Sequence, residues 1–250
     1  MQERGPAAYI AEFLGTLLLV FFVTTAVSLF VTQASPQNPA PFIDWGVIGL
    51  VHVFVLFILV QTLAVVSGAH FNPAVTAAMT LLRQIRPPDA AIYIVLQLAG
   101  AVAGALITKL LLNEFANADA VHFGATGVSD SLGGKTGLGM LAEFIGTFVL
   151  VMTIIGVALD PRVDRALAPL AIGAALGLVV FVFGPLTGAG INPARAFGPA
   201  LVGHEFGGAG KFLLVYVLAP AAGGLAAAGA YFNLFIAPGK KGVEGMEPVG

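Results

Sequence analysis

The sequence predicts an all-α membrane protein with six transmembrane helices and two re-entrant half-helices, arranged as an inverted repeat of three plus three spans. Three observations support this fold. Of the 250 residues, 58% are hydrophobic and only 10% are charged, whereas a soluble domain has about 25% charged residues. Six apolar segments are long enough to cross a bilayer, which takes roughly 20 residues. A short Asn-Pro-Ala phrase follows two of the apolar runs at matching places in the chain.

The six apolar segments are the expected spans. They lie at about 7–32, 42–66, 90–112, 137–159, 166–186 and 211–236. The first is too long to be the core of a cleavable signal. Two shorter apolar stretches, at about 73–82 and 193–202, follow the Asn-Pro-Ala phrases and can reach only part of the way across. Such re-entrant segments persist at membrane depth only when they are buried in protein or line a wet cavity.

Each Asn-Pro-Ala phrase predicts the start of a half-helix. The two phrases consist of Asn72, Pro73 and Ala74, and of Asn192, Pro193 and Ala194. Asn caps a helix N-terminus well, and Pro fits the first helical turn, where its missing N–H is not needed. In inverted halves the two N-termini would meet near the bilayer midplane, where transport sites lie. A third Asn-Pro-Ala, at 38–40, is followed at once by Pro41 and is interpreted as a loop.

A second pair of phrases supports the internal repeat. The phrase Ala-Glu-Phe-Leu-Gly-Thr at 11–16 recurs as Ala-Glu-Phe-Ile-Gly-Thr at 142–147. Three spans in each half invert the second half relative to the first, and this arrangement builds a central pathway. We therefore predict a single channel domain over 1–236, with repeats at about 7–112 and 137–236, followed by a disordered cytoplasmic tail over 237–250.

The basic residues predict the orientation. One side carries Arg4, Arg83, Arg86, Arg162, Arg165, Lys240 and Lys241, and the other carries Lys109, Lys135, Lys211 and Arg195. This bias favours cytoplasmic N- and C-termini. Since the sequence has no recognisable targeting signal, we expect a multi-pass protein of the cell membrane, with the vacuolar membrane as the alternative.

Few ionisable residues fall within the membrane, and such residues are functional candidates. Glu12 and Glu143 are related by the repeat. They are interpreted as buried carboxylates that accept hydrogen bonds from the irregular backbone before each half-helix, with direct contact to a permeant as the alternative. His70, two residues before Asn72, is expected to tether the bend before the first half-helix to neighbouring backbone. Arg195 lies in the first turn of the second half-helix, where a cation opposes the helix dipole. It is expected to line a pore and repel cations; the alternative is a simple partner for a carboxylate.

Several function classes are disfavoured by composition. The chain has no cysteine, which excludes disulfides, thiol catalysis and thiolate metal sites. No nucleophile–base pair and no cluster of metal ligands is visible, so no enzyme activity, catalytic residue, metal or cofactor is expected. The net charge of −2 does not indicate nucleic-acid binding. No unpaired acidic residue marks a coupling site, and this disfavours an ion-coupled transporter. A structural membrane protein with a vestigial pore is an alternative from another class.

These motifs together resemble the major intrinsic protein (aquaporin) family over roughly residues 5–236. The resemblance implies an aquaporin-like homotetramer with one pore in each subunit. It also implies a passive channel for water and small neutral solutes that excludes protons and ions, because an Arg and the positive ends of half-helices bar cations. The expected partners are the permeants, the lipid bilayer and further copies of the chain.

The resemblance also implies a four-residue selectivity filter, and its residues are His52, Val180, Ala189 and Arg195. This set is most similar to that of the plant tonoplast branch, some members of which pass ammonia. His122, in the loop between the third and fourth spans, is a possible extension of the filter or an ordinary solvated histidine. Because Val180 and Ala189 leave one wall wide and apolar, ammonia is expected to permeate with water.

A glycerol or small-polyol facilitator is the alternative within the same family. Ala196 and Ala200 stand where that branch favours Asp and Arg, and they count against it.

Overall fold

The computed structural model describes residues 5–31, 41–114 and 119–236, and all regular secondary structure in these ranges is helical. Six helices are long and apolar enough to cross a membrane, and they span Pro6–Leu29, Trp45–Ser67, Pro87–Leu112, Thr136–Leu159, Arg165–Thr187 and Ala209–Ile236. The predicted fold class is therefore confirmed. The predictions for the loop phrase at 38–40 and for the tail at 237–250 lie outside the described residues.

The helices follow in this order: α1 Pro6–Val31, α2 Pro41–Ser67, α3 Pro73–Leu81, α4 Pro87–Leu112, α5 Thr136–Ile154, α6 Ala168–Thr187, α7 Pro193–Val202, α8 Ala209–Phe212 and α9 Ala219–Tyr231. Helices α3 and α7 are the two short helices that begin at the Asn-Pro-Ala phrases. A π-helical turn at Ile155–Leu159 extends α5, and another at Phe232–Ile236 extends α9.

The sixth span consists of α8, a π-helical stretch at Leu213–Leu218, and α9. Pro220 lies just after this stretch. Proline has no N–H, so it cannot bond the carbonyl of Tyr216 four residues earlier, and its ring crowds that carbonyl. This gives the wider turn a local cause, although hydropathy predicts only a continuous span.

The two halves pack in equivalent ways. Helix α1 packs on α4 as α5 packs on α9, and each short helix lies against the last long helix of the other half, α3 on α9 and α7 on α4. One glycine in each half allows two of its helices to cross closely. A Cβ on Gly100 would overlap the carbonyl oxygen of Phe13, and a Cβ on Gly223 would overlap the carbonyl oxygen of Phe144.

The outer surface of the bundle is apolar. Large side chains such as Phe22, Phe54 and Val95 are 48%, 55% and 64% exposed. A soluble monomer rarely exposes such surface over a wide area, whereas in a membrane the lipid tails shield it from water. The polar groups are turned inward, where the two short helices meet.

Candidate functional site

The two short helices begin at capping asparagines. Asn72 and Asn192 have extended backbones, with φ of −154° and −142°. The side-chain oxygen of Asn72 accepts from the backbone N–H of Ala74 at 2.8 Å, and that of Asn192 accepts from the backbone N–H of Ala194 at 2.9 Å. The Asn72 cap satisfies one N–H of the first turn and the Asn192 cap satisfies two, since Asn192 also accepts from the N–H of Arg195 at 3.3 Å, while the proline at the first helical position has none to satisfy.

The same two side chains join the half-helices across the centre of the bundle. Asn72 Nδ2 donates to the carbonyl of Ile191 at 3.1 Å, and Asn192 Nδ2 donates to the carbonyl of Phe71 at 2.8 Å. An amide nitrogen carries two hydrogens, so each asparagine retains a second N–H for a molecule between the helices. Because these bonds join the two N-termini, the positive ends of the two helices face one another across this space.

Glu12 stabilises the bend that leads into the first short helix. Its carboxylate accepts from the backbone N–H groups of His70 at 2.9 Å and Phe71 at 2.7 Å, and from the hydroxyl of Ser67 at 2.7 Å. Phe71 has a positive φ of 47°, which is unfavourable for a residue with a bulky side chain. The buried carboxylate thus satisfies backbone donors that no helix could satisfy.

Glu143 has the same role in the second half. It accepts from the backbone N–H groups of Gly190 at 2.8 Å and Ile191 at 2.5 Å, and from the hydroxyl of Thr187 at 2.6 Å. Ile191 has a φ of 55°. The repeat in the sequence is therefore a repeat of hydrogen bonds.

One feature of this network breaks the repeat. Gln97 Nε2 donates to Glu12 at 2.7 Å and to the hydroxyl of Thr76 at 3.0 Å. Gln97 lies four residues after Tyr93, and the matching position in the second half, four residues after Tyr216, is Pro220, which has no side-chain donor. The hydrogen bond from Gln97 to Glu12 is not predicted from the sequence, although the difference between Gln97 and Pro220 in the aligned halves is a visible signal.

A cavity of about 30 Å³ lies between the half-helices. Only about 10–15 Å³ is needed for one water, so the space suits small molecules. Among the lining residues are Asn72, Asn192, His52, His70, Ala189 and Arg195. Apolar side chains that include Leu150, Ile172 and Leu176 line the remainder.

Val180 is placed differently from the other three predicted filter residues. It is 1% exposed and is not among the residues that line the described cavity. It lies one helical turn beyond Leu176 and two beyond Ile172, both of which line the wall, so it continues their face of α6.

Arg195 is 3% exposed and lies on the cavity wall. Its Nη1 donates to the carbonyl of Gly124 at 3.0 Å, while its buried Nε has no hydrogen-bond partner. In the described parts of the chain no carboxylate forms an ion pair with it. Gly124 comes from the segment between α4 and α5, and its contact with Arg195 is not predicted from the sequence. A long-range carbonyl contact leaves no mark in a single sequence.

The tautomer of His52 follows from a hydrogen bond within α2. Its Nδ1 lies 2.8 Å from the carbonyl oxygen of Ile48, one turn earlier in α2. A carbonyl can only accept, so Nδ1 carries the hydrogen, and in a neutral ring Nε2 is then the acceptor. Across the described ranges, Nε2 has no hydrogen bond to the protein.

His70 lies both in the bend and on the cavity wall. Its Nδ1 is 3.2 Å from Thr76 Oγ1, and the Thr76 hydroxyl donates to the carbonyl of Asn72 at 3.0 Å. Because the only hydrogen of that hydroxyl is used in this way, Nδ1 is the donor.

His122 lies away from these residues. Its side chain is 47% exposed, and its Nε2 is 3.8 Å from a carboxylate oxygen of Glu205. It is not among the lining residues of the described cavity. The segment that carries it is nevertheless close to the site, because Gly124 follows two residues later.

Comparisons with known proteins agree with this geometry. The family model described as "MIP: Major intrinsic protein" matches residues 4–231. Aquaporin AqpM of Methanothermobacter thermautotrophicus is 34% identical over 239 residues, which cover 89% of this chain and 94% of that protein. Aquaporin PIP2-1 of Arabidopsis thaliana is 37% identical over 206 residues, 78% of this chain and 69% of that protein.

A solved structure has the same fold. The X-ray structure of the aquaglyceroporin from Plasmodium falciparum superposes with a TM-score of 0.79 at 23% identity, covering 95% of this chain and 99% of that one. Together with the six spans and the paired half-helices, these matches show that the chain belongs to the major intrinsic protein (aquaporin) family of membrane channels for water and small solutes.

Proposed function

We propose that this protein is a passive channel for water and ammonia, and for other solutes of similar size, that excludes protons and ions. The observation that carries the proposal is the narrow cavity between two helix N-termini, lined by Asn72, Asn192, His52 and Arg195. The permeant would pass in single file, since the cavity is small, at about 30 Å³.

The exclusion of protons and cations follows from the charges on the wall. Two positive helix ends and the Arg195 guanidinium all oppose a cation in the cavity. A water that accepts from Asn72 and Asn192 has both lone pairs engaged. Its hydrogens then point away from the centre, so it cannot relay a proton along the file.

The proposed selectivity filter consists of His52, Val180, Ala189 and Arg195. Ala189 is a small lining residue, and Val180 continues the apolar face of α6. An apolar wall formed by a small and an aliphatic residue, together with a histidine and an arginine, resembles the filter of the plant tonoplast branch. Such a wall relaxes the selection against solutes slightly larger than water, and this supports permeation by ammonia.

The remaining assignments belong to the same proposal. Glu12, Glu143 and His70 act as structural supports of the two bends. The channel domain covers residues 1–236, with inverted repeats at about 7–112 and 137–236. The protein forms a homotetramer with cytoplasmic termini in the cell membrane or a vacuolar membrane.

Stopped-flow measurements on proteoliposomes test the proposal. Osmotic shrinkage reports water, and alkalinisation of the interior on addition of an ammonium salt reports ammonia, both in one preparation. Empty liposomes and a lipid-face variant, Leu106→Ala, are the controls. Fast responses in both assays support the proposal. Fast water with background ammonia would overturn the ammonia assignment, and no flux in either would overturn the channel.

A further inference from the structure

The segment that leads to Gly124 has a strained backbone. His122 and Phe123 have positive φ values of 47° and 51°, and Gly124 follows at 79°. Residues with a side chain rarely adopt this left-handed conformation, and two in succession persist only where the surrounding structure holds them. The carbonyl of Gly124 accepts from Arg195 Nη1 at 3.0 Å. The contacts that hold this segment therefore also fix the partner of Arg195.

Lys109 of α4 contacts both this segment and the end of α7. Its Nζ lies over the ring of Phe123, 5.2 Å from the centroid, and donates to the carbonyl of Val202 at 3.5 Å. Phe123 is 2% exposed, and a cation is attracted to the face of an aromatic ring. Val202 is the last residue of α7, where carbonyls lack helical partners and favour a positive charge. One ammonium group thus joins the segment that carries Gly124 to the half-helix that carries Arg195.

The internal repeat ties this cation to the half-helix with the arginine. Lys109 and Phe232 are at matching positions, since each comes nine residues after the glycine of a close helix crossing. Arg195 and Val75 also match, since each comes three residues after its capping asparagine. Helix α4 packs on α7, and α9 packs on α3. The cation and the arginine thus occur together in one pair of helices, and the equivalent pair has an uncharged residue at both positions.

Resting on the proposed filter, we infer that Lys109 is a positioning residue for Arg195. Its ammonium group holds the Phe123 ring against the end of α7, and the Gly124 carbonyl then keeps the Arg195 guanidinium at one place on the cavity wall. Without this cation the left-handed backbone can relax, and the guanidinium loses the bond that fixes it. The filter then selects less strictly by width, so a neutral solute larger than water passes more readily.

Urea and water permeabilities of proteoliposomes, corrected for empty liposomes, test this inference. Lys109→Met removes the charge and retains an unbranched side chain, whereas Lys109→Arg retains a cation that can bond a carbonyl and lie over a ring. Loss of one hydrogen bond changes a rate by roughly fivefold. We expect the ratio of urea to water permeability to rise about fivefold in Lys109→Met and to stay unchanged in Lys109→Arg. Lys135→Met, at an exposed position just before α5, is the matched control and leaves the ratio unchanged.

A double variant separates positioning of Arg195 from a general loosening of the bundle. If Lys109 acts through Arg195, adding Lys109→Met to Arg195→Leu leaves the urea ratio of Arg195→Leu unchanged, because coupled substitutions do not add. A further rise in the double variant would overturn the inference. An unchanged ratio in Lys109→Met, or an equal rise in Lys109→Arg, would also overturn it.

Hydrogen exchange of the backbone at 122–126 tests the same contact without flux. We expect exchange there to become about fivefold faster in Lys109→Met and to stay unchanged in Lys109→Arg and Lys135→Met. Equal exchange in all of these proteins would overturn the inference. Absence of flux in the unmodified protein would instead refute the proposed function, and the exchange result does not depend on flux.

Discussion

At the scale of single residues, the site depends on strained backbone that is held by buried carboxylates. Non-glycine residues with positive φ precede both half-helices, among them Phe71 at 47° and Ile191 at 55°. Each such conformation costs about 1–3 kcal/mol. The paired N–H bonds to Glu12 and Glu143 offset this cost and fix the positions of the asparagines that follow.

Replacing either carboxylate by an amide should destabilise the fold. In Glu12→Gln or Glu143→Gln, one of the two carboxylate oxygens becomes an NH₂ group that faces a backbone N–H. A buried donor without a partner costs about 1–3 kcal/mol, so we expect a lower temperature of unfolding in detergent. Glu114→Gln, at the exposed end of α4, should leave that temperature unchanged. Equal stability of all three variants would show that the carboxylates do not hold the bends.

Removing the charge of Arg195 should weaken the exclusion of cations. In Arg195→Leu the cavity loses its only guanidinium among the described lining residues, and we expect the proton permeability of proteoliposomes to rise about tenfold or more, since about 1.4 kcal/mol suffices for a factor of ten. Arg195→Lys retains the charge and should remain closer to the unmodified protein. A proton leak that is identical in both variants would point to the geometry of the Gly124 contact rather than to charge.

At the scale of elements, close helix crossings determine how the spans pack. Gly100 of α4 lies against the carbonyl of Phe13, and Gly223 of α9 lies against the carbonyl of Phe144. Membrane helices gain no hydrophobic driving force for association, so close approach through small residues supplies much of their attraction. The two repeat-related crossings thus position α4 and α9, on which α7 and α3 rest.

Adding a methyl group at these crossings should separate the helices. Gly100→Ala and Gly223→Ala place a Cβ where a carbonyl oxygen lies, and overpacking of this kind costs about 1–3 kcal/mol. Gly229→Ala is the matched control, because a Cβ at Gly229 of α9 has open space around it. We expect lower unfolding temperatures for the first two variants and no decrease for the third. A decrease in Gly229→Ala as large as in the other two would contradict this explanation.

A second element-scale feature is the turn between α5 and α6. Asp160 is 1% exposed, and its carboxylate accepts from Arg162 Nε at 2.8 Å and Nη2 at 2.5 Å, and from the Tyr231 hydroxyl at 3.1 Å. These bonds, chiefly those from Arg162, hold the pKa of Asp160 well below its ordinary value. The charged carboxylate thus ties the turn to the end of α9.

The stability of this turn should depend on pH in one direction. Because the pKa of Asp160 is lower in the folded protein than in the unfolded chain, its contribution is complete above the ordinary carboxyl pKa of about 3.9 and is lost as the pH falls below that value. Asp160→Asn should expose the turn to hydrogen exchange at neutral pH, roughly fivefold faster, and Arg162→Gln should act in the same direction. Arg165→Gln serves as the control, and exchange equally fast in that variant would argue against the pair.

At the scale of the whole molecule, the cavity forms because the short helix of each half packs against the last long helix of the other half. Helix α3 lies on α9 and α7 lies on α4, so neither half alone completes the cavity wall. The crossed bonds from Asn72 to Ile191 and from Asn192 to Phe71 then join the halves at the centre. A permeant therefore contacts both halves of the chain at once.

The position of Ala189 on the wall makes a test of the whole pathway possible. The chain has no cysteine, so we expect mercurials to leave water permeation unchanged. In Ala189→Cys a mercury atom bound to the new thiol would occupy the cavity, and we expect water flux to fall about tenfold to the background of empty liposomes. A thiol reductant should restore it. Inhibition of the unmodified protein, reversed by a reductant, would contradict the assignment.

Hydropathy and helix capping are sufficient to predict the spans and the two half-helices. Long apolar runs have no other stable place than a bilayer, and Asn-Pro is a local signal for a helix start that needs no distant partner. The relation between Glu12 and Glu143 is also predicted from the sequence, because a repeated phrase implies a repeated environment. The bounds of the six spans agree with the predicted ones to within about three residues.

The contacts between residues distant in sequence are seen in the folded structure alone. The contact of Arg195 with the carbonyl of Gly124, the bonds from Gln97 to Glu12 and Thr76, and the tie of Asp160 to Tyr231 join residues far apart in sequence. The tautomer of His52 depends on the rotation of its ring toward Ile48, which a sequence does not specify. Periodicity and capping are local properties of the chain, whereas the donors and acceptors of the cavity depend on how the helices pack.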